Sequence, residues 1–221
     1  MITAASNSRI KRLVQLNQKS KLRRTEDVFL AEGVKMFLEA PREQLQEVYV
    51  SESFLEKCSC REHLEEVGYE VVSDSVFSKI SDTCTPQGVL CVLKQFHYNI
   101  EEMLRDKAPL FLLLENIQDP GNLGTMLRTG EGAGVSGIIM SRDTVDLYNP
   151  KVIRSTMGSI YRVPFYYADA FAAAVHQVQQ AGVSVYAAHL RGKNSYACQD
   201  YTKGTAFLIG NEGNGLREET A

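Results

Sequence analysis

The run LFLLL at residues 110–114 constrains the fold of this chain more than any other feature. Five apolar residues in succession leave no polar face, so a strand built from them calls for cover on both sides, as in the centre of a parallel sheet. Four more strand-like runs follow it: GIIM at 137–140, VPFYY at 163–167, VSVYAA at 183–188 and AFLIG at 206–210. Helical patterns at 122–134 and 170–180 lie between them. Strands alternating with helices predict a doubly wound, mainly parallel α/β sheet, with ligand chemistry at the carboxyl ends of its strands.

The residues before this sheet read as a separate layer. A helix over 9–17, strands in VFLAEG at 28–33, EVYV at 47–50, YEVV at 69–72 and GVLCVLKQF at 88–96, and short helices between them predict an α/β sandwich over 1–97. The polar stretch HYNIEEMLRDKAP at 97–109 breaks the pattern, so a linker is placed at 98–109 and the second domain at 110–221. Charge separates the two ends of the chain. Arg9, Lys11, Arg12, Lys19, Lys21, Arg23 and Arg24 lie in the first 24 residues, and none of the 27 Asp and Glu does. A basic segment on an acidic body suits a polyanion such as RNA, although Ile10, Leu13, Val14 and Leu16 also give it the apolar stripe of an ordinary surface helix.

Several function classes find no support. No apolar run approaches the roughly 18 residues that span a bilayer, and the N-terminus has no apolar signal region, so a cytoplasmic protein without membrane attachment is expected. Cys58 and Cys60 form a lone C-x-C, the other three cysteines are isolated, and no second half-site exists for zinc; no metal is expected. There is no G-x-S-x-G elbow and no G-x-x-x-x-G-K-[ST] phosphate loop.

The pointed chemistry sits in the loops after LFLLL and AFLIG. In the first, Asp119-Pro120-Gly121 predicts a tight turn and Asn122 a helix cap, with Arg128 under two helical turns later. In the second, Gly210-Asn211-Glu212-Gly213-Asn214-Gly215 offers three glycines that permit close backbone approach by a ligand. Together these loops resemble motifs one and two of the SpoU/TrmH family of RNA ribose methyltransferases, of the SPOUT class. The first is carried by Asn116, Asp119, Pro120, Asn122, Gly124 and Arg128 in the spacing N-x-x-D-P-x-N-x-G-x-x-x-R, the second by residues 208–213 and on to Gly215-Leu216. NPKVIRSTMGSIYRVPF at 149–165 is similar to the segment between them, and the residues before about 94 resemble the family's L30e-like RNA-binding domain.

The resemblance implies an L30e-like α/β sandwich followed by an α/β trefoil-knot domain. It implies S-adenosylmethionine-dependent methylation of a ribose 2'-hydroxyl, in 23S ribosomal RNA before other RNAs. A tRNA ribose methyltransferase and a non-catalytic RNA-binding protein of the same fold remain as alternatives. Arg128, Asn122 and Glu212 would be catalytic, with Arg128 either a transient base or a phosphate clamp. Gly210, Asn211, Gly213 and Leu216 would meet the cofactor, and the seven basic residues at 9–24 the RNA. A homodimer through the knotted domain is expected. The family's third motif should follow Leu216, whereas this sequence stops at Ala221. The C-terminal end is therefore expected to be incomplete by roughly forty residues, if domains of about 150 residues are the guide. Residues 210–221 are then expected to be the least ordered, with weak cofactor binding.

Overall fold

The structure, a computed structural model, describes residues 1–221 and divides into two compact units, 1–96 with 146–161, and 97–145 with 162–221.

In the first unit the chain runs α1 (Ser8–Gln18), α2 (Ser20–Glu26), β1 (Val28–Glu32), α3 (Val34–Leu38), β2 (Leu45–Ser51), α4 (Glu52–Lys57), α5 (Arg61–Val67), β3 (Glu70–Val72), α6 (Asp74–Ile80) and β4 (Val89–Lys94). The strands form one sheet in the order β1-β4-β2-β3, with β4 antiparallel to both neighbours and β3 parallel to β2. β4 is central and buried from Val89 to Leu93, which is why its sequence is a continuous apolar run. Ile10, Leu13 and Leu16 of α1 recur every three residues and pack with Val76, Phe77 and Ile80 of α6 in the core beside the sheet.

The second unit contains α7 (Ile100–Met103), β5 (Leu110–Leu114), α8 (Pro120–Ala133) and β6 (Gly137–Ser141). A ninth helix, α9 (Pro150–Thr156), belongs to the first unit, and the chain then re-enters the second through β7 (Phe165–Ala168), α10 (Phe171–Gln180), β8 (Ser184–Ala187) and β9 (Thr205–Ile209). Its five strands are all parallel, in the order β7-β6-β5-β9-β8. β6 is buried at every position, whereas β5 leaves Leu110 and Leu112 half-buried; the cover expected on both faces of LFLLL is complete over β6 instead. Phe111, Leu113, Ala206, Leu208 and Val178 form the middle of this unit's core.

Residues 146–161 cluster with the first unit although they follow β6 in sequence. Aromatic and ionic anchors explain it. The Tyr148 ring lies 4.8 Å from Phe29, its hydroxyl accepts from the Phe96 N–H at 2.7 Å, and the Tyr161 hydroxyl donates to the Met36 carbonyl at 3.0 Å. Arg154 donates to the Asp82 carboxylate at 3.1 Å.

Candidate functional site

Strand order alone picks out one place in the second unit. From β5 the chain moves to β6 and β7 on one side, while β8 and β9 lie on the other, so the order reverses between β5 and β9. Ligands of open α/β sheets bind at such a reversal, beyond the carboxyl ends of the strands. The register pairs Leu114 with Ile209, so the loops after β5 and β9 leave the sheet side by side.

The β5 loop is shaped by Asn116, Asp119 and Pro120. Asn116 has φ of +55°, a left-handed conformation that asparagine tolerates better than most residues. Asp119, not Asn122, caps α8: its carboxylate accepts the Asn122 N–H at 2.8 Å, and Pro120 occupies the first helical position, where its missing N–H costs nothing. Asn122 is the third residue of the helix, and its side-chain amide donates to Glu212 Oε1 at 3.2 Å.

Glu212 joins the two loops. Its carboxylate also accepts the backbone N–H of Asp119 at 3.1 Å and of Gln118 at 3.2 Å. Burial pushes this carboxyl up, but its own backbone N–H, those of Asp119 and Gln118, and the Asn122 amide outweigh that and hold it below the usual carboxylate range. Asn211 adds a second link, donating to the Asn116 carbonyl at 2.8 Å.

The β9 loop folds back on itself. Asn211 and Gly215 exchange backbone hydrogen bonds at 3.0 and 2.9 Å, and the Asn211 side chain accepts the N–H groups of Gly213 and Asn214. The three glycines have different uses. A Cβ on Gly210 would lie 2.2 Å from the Gly215 carbonyl carbon, so a glycine here lets the loop close on itself. Gly215 has φ of +69° with nothing within 4 Å of a built Cβ, and Gly213 meets only Asn211 Oδ1 at 3.7 Å. These two present backbone free of side chains to open space, a surface that suits a nucleoside-like group. Leu216, expected at the cofactor, is buried in the core of this unit. Residues 210–221 have three anchors of their own: Leu216 in the core, and the Arg217 N–H and Thr220 hydroxyl on the buried Glu115.

Arg128 stands apart. Six residues of α-helix put it about 9 Å from Asn122 along the axis and about 120° around it. Its side chain is exposed and has no hydrogen bond to Asn122 or Glu212.

The basic segment divides in three. Arg23 is only 3% exposed and donates to the Leu16 carbonyl and to Asp146, each at 2.6–2.7 Å, so it is a buried tie and not a contact for RNA. Arg9 pairs with Glu70, and Arg12 with Glu26 and Glu47. Lys11, Lys19, Lys21 and Arg24 are exposed. Glu115, Asp143 and Arg217 belong to no motif in the sequence; a lone carboxylate directly after an apolar strand is the available signal for the first.

Residues 109–221 match the SpoU rRNA methylase family, and residues 7–91 match the MRM3-like substrate binding domain. The chain is 31% identical over 218 residues to the 23S rRNA (guanosine(2553)-2'-O)-methyltransferase RlmP of Bacillus subtilis (strain 168), covering 97% of this chain and 84% of that protein. The solved AdoMet-bound rRNA methyltransferase from Sinorhizobium meliloti is similar with a TM-score of 0.82 at 28% identity, over 98% of this chain and 82% of that one. The SpoU methyltransferase AviRb from Streptomyces viridochromogenes shares the fold, with a TM-score of 0.84 at 22% identity over 96% of this chain and 84% of its own.

Proposed function

Since this chain belongs to the SpoU rRNA methylase family, we propose that it transfers a methyl group from S-adenosylmethionine to a ribose 2'-hydroxyl of 23S ribosomal RNA. The observation that carries this reading is the junction at Glu212, which joins both signature loops where the strand order reverses. The cofactor supplies a methyl group on a sulfonium, which needs no metal activation. The residues present fit it: Gly213 and Gly215 offer open backbone, and Asn211 and Leu216 fix that backbone from behind.

Transfer in line to a hydroxyl is mainly a matter of positioning: as the oxygen–methyl bond forms, the sulfur–methyl bond breaks to leave the neutral thioether, and the 2'-hydroxyl gives up its proton to water. Glu212, held ionised by its donors, orients the Asn122 amide and the turn at Gln118 and Asp119. Guanidinium groups keep their proton in proteins, so Arg128 serves as a charged clamp that holds the RNA phosphate and presents the ribose, rather than as a base. Lys11, Lys19, Lys21, Arg24 and Arg9 carry the polyanion, in an interaction that weakens with salt. We place the protein in the cytoplasm, as a homodimer through a knotted second domain; light scattering giving a monomer at micromolar concentration contradicts the dimer.

Incubation with tritium-labelled S-adenosylmethionine and total RNA tests the reading. Label in 23S rRNA supports it. Label confined to tRNA favours a tRNA methyltransferase, and RNA binding without transfer favours a non-catalytic binding protein.

A further inference from the structure

Glu115, the residue after β5, is 1% exposed, and every side-chain partner it has comes from the segment just beyond the candidate cofactor loop. Its Oε2 accepts the Arg217 N–H at 2.8 Å, its Oε1 accepts the Thr220 hydroxyl at 2.6 Å, and Arg217 Nη1 lies 3.9 Å from Oε1. A carboxylate taken out of water is costly unless it is paired and hydrogen-bonded, so Glu115 and residues 217–220 hold one another in place. Arg217 extends the link, because its guanidinium also pairs with Asp143 beyond β6. Asp143 accepts from the Ser141 hydroxyl at 2.6 Å, and Ser141 Oγ accepts the Asn116 N–H at 2.7 Å. One hydrogen-bonded path therefore joins the carboxyl ends of β5, β6 and β9.

We propose that Glu115 is a positioning residue for the cofactor: with Arg217 and Asp143 it clamps the far end of the 210–216 loop and so fixes the backbone of Gly213 and Gly215. The loop is pinned at one end where β9 delivers Gly210 against Gly215, and at the other by Arg217 on Glu115. Glu115 touches neither the open face at Gly213 nor the Asn122–Glu212 pair, so its influence falls on cofactor affinity more than on the chemical step. This inference rests on the methyltransferase reading above.

The test compares Glu115→Gln, Arg217→Met and the double variant. Glutamine keeps an oxygen for the Arg217 N–H but loses the charge that faces the guanidinium. We expect each single variant to raise KM for S-adenosylmethionine about tenfold, within the range of coupled polar networks, with a much smaller change in kcat. Hydrogen exchange of the amides at 213–217 should speed up by a similar factor in each. The double variant should be no worse than Arg217→Met alone, because the charge that Glu115→Gln removes faces the guanidinium that Arg217→Met has already taken away. Unchanged KM and exchange in Glu115→Gln, or effects that multiply in the double variant, overturn the proposal. Should Glu115→Gln not fold, Arg217→Met and Asp143→Asn, altered at exposed side chains, give the same readout. Hydrogen exchange needs neither cofactor nor RNA. A wild-type protein that transfers no methyl group thus sinks the functional reading, while the exchange data still decide the clamp.

Discussion

Replacing Gly210 with alanine isolates the packing that closes the β9 loop. Gly210 does not have a left-handed φ, so alanine meets no backbone objection there. The objection is space. The new Cβ would lie 2.2 Å from the Gly215 carbonyl carbon, 2.3 Å from the Leu216 nitrogen and 2.5 Å from the Gly215 oxygen, all backbone atoms that cannot swing aside. Relief requires separating residue 210 from 215–216, which breaks the two Asn211–Gly215 hydrogen bonds, worth about 1 kcal/mol each. It also draws Leu216 from the core, where a buried leucine contributes about 2 kcal/mol. The expected loss is about 2–4 kcal/mol, or roughly 5–15 °C in melting temperature. Differential scanning calorimetry reads the shift, and hydrogen exchange reads the loop. A Gly210→Ala protein that melts within a degree of wild type, with equal protection at residues 211–217, refutes the argument.

Arg128→Ala should lower methyl transfer by about a hundredfold or more, because a lost clamp misplaces the hydroxyl, while the melting temperature stays put since the side chain is exposed. Turnover within tenfold of wild type removes Arg128 from the machinery. Arg23→Met should cost about 2–3 kcal/mol in urea unfolding, since it takes the ion partner from Asp146 and the donor from two backbone carbonyls, whereas Arg24→Ala should change stability by less than about 0.5 kcal/mol and weaken RNA binding instead. Glu212 has a depressed folded pKa, so its contribution is fully present above the unfolded value of about 4.3 and is lost as pH falls through the lower folded value. NMR titration of its carboxyl should show a midpoint below that of a model glutamate; a midpoint at or above it denies the tethers at Gln118, Asp119 and Asn122.

The strands of both sheets were legible in the sequence because apolar runs must be covered, and the parallel sheet with chemistry at its carboxyl ends follows from the alternation with helices. The start of α8 is ambiguous in the sequence because two good caps stand three residues apart. Proline at the first helical position decides for Asp119, and that choice releases Asn122 for Glu212. Arg23 was indistinguishable from its basic neighbours, since its burial depends on Asp146, more than a hundred residues away. Residues 146–161 looked like part of the second domain because nothing local announces that Tyr148 and Tyr161 find their partners at Phe96 and Met36. Glu115 was visible as a charge after an apolar strand, but its partners are 102–105 residues further on, and only the fold brings them together.

The central claim is that the transferred methyl group ends on a ribose oxygen. Alkaline hydrolysis of the methylated RNA tests it most directly, because cleavage of each linkage needs a free neighbouring 2'-hydroxyl. Incubated with S-adenosylmethionine and 23S rRNA, the wild-type protein should place the label in a single alkali-resistant dinucleotide, and the Arg128→Ala variant should place about a hundredfold less there in the same time. Label recovered in ordinary mononucleotides, as a methyl group on a base would give, contradicts the account.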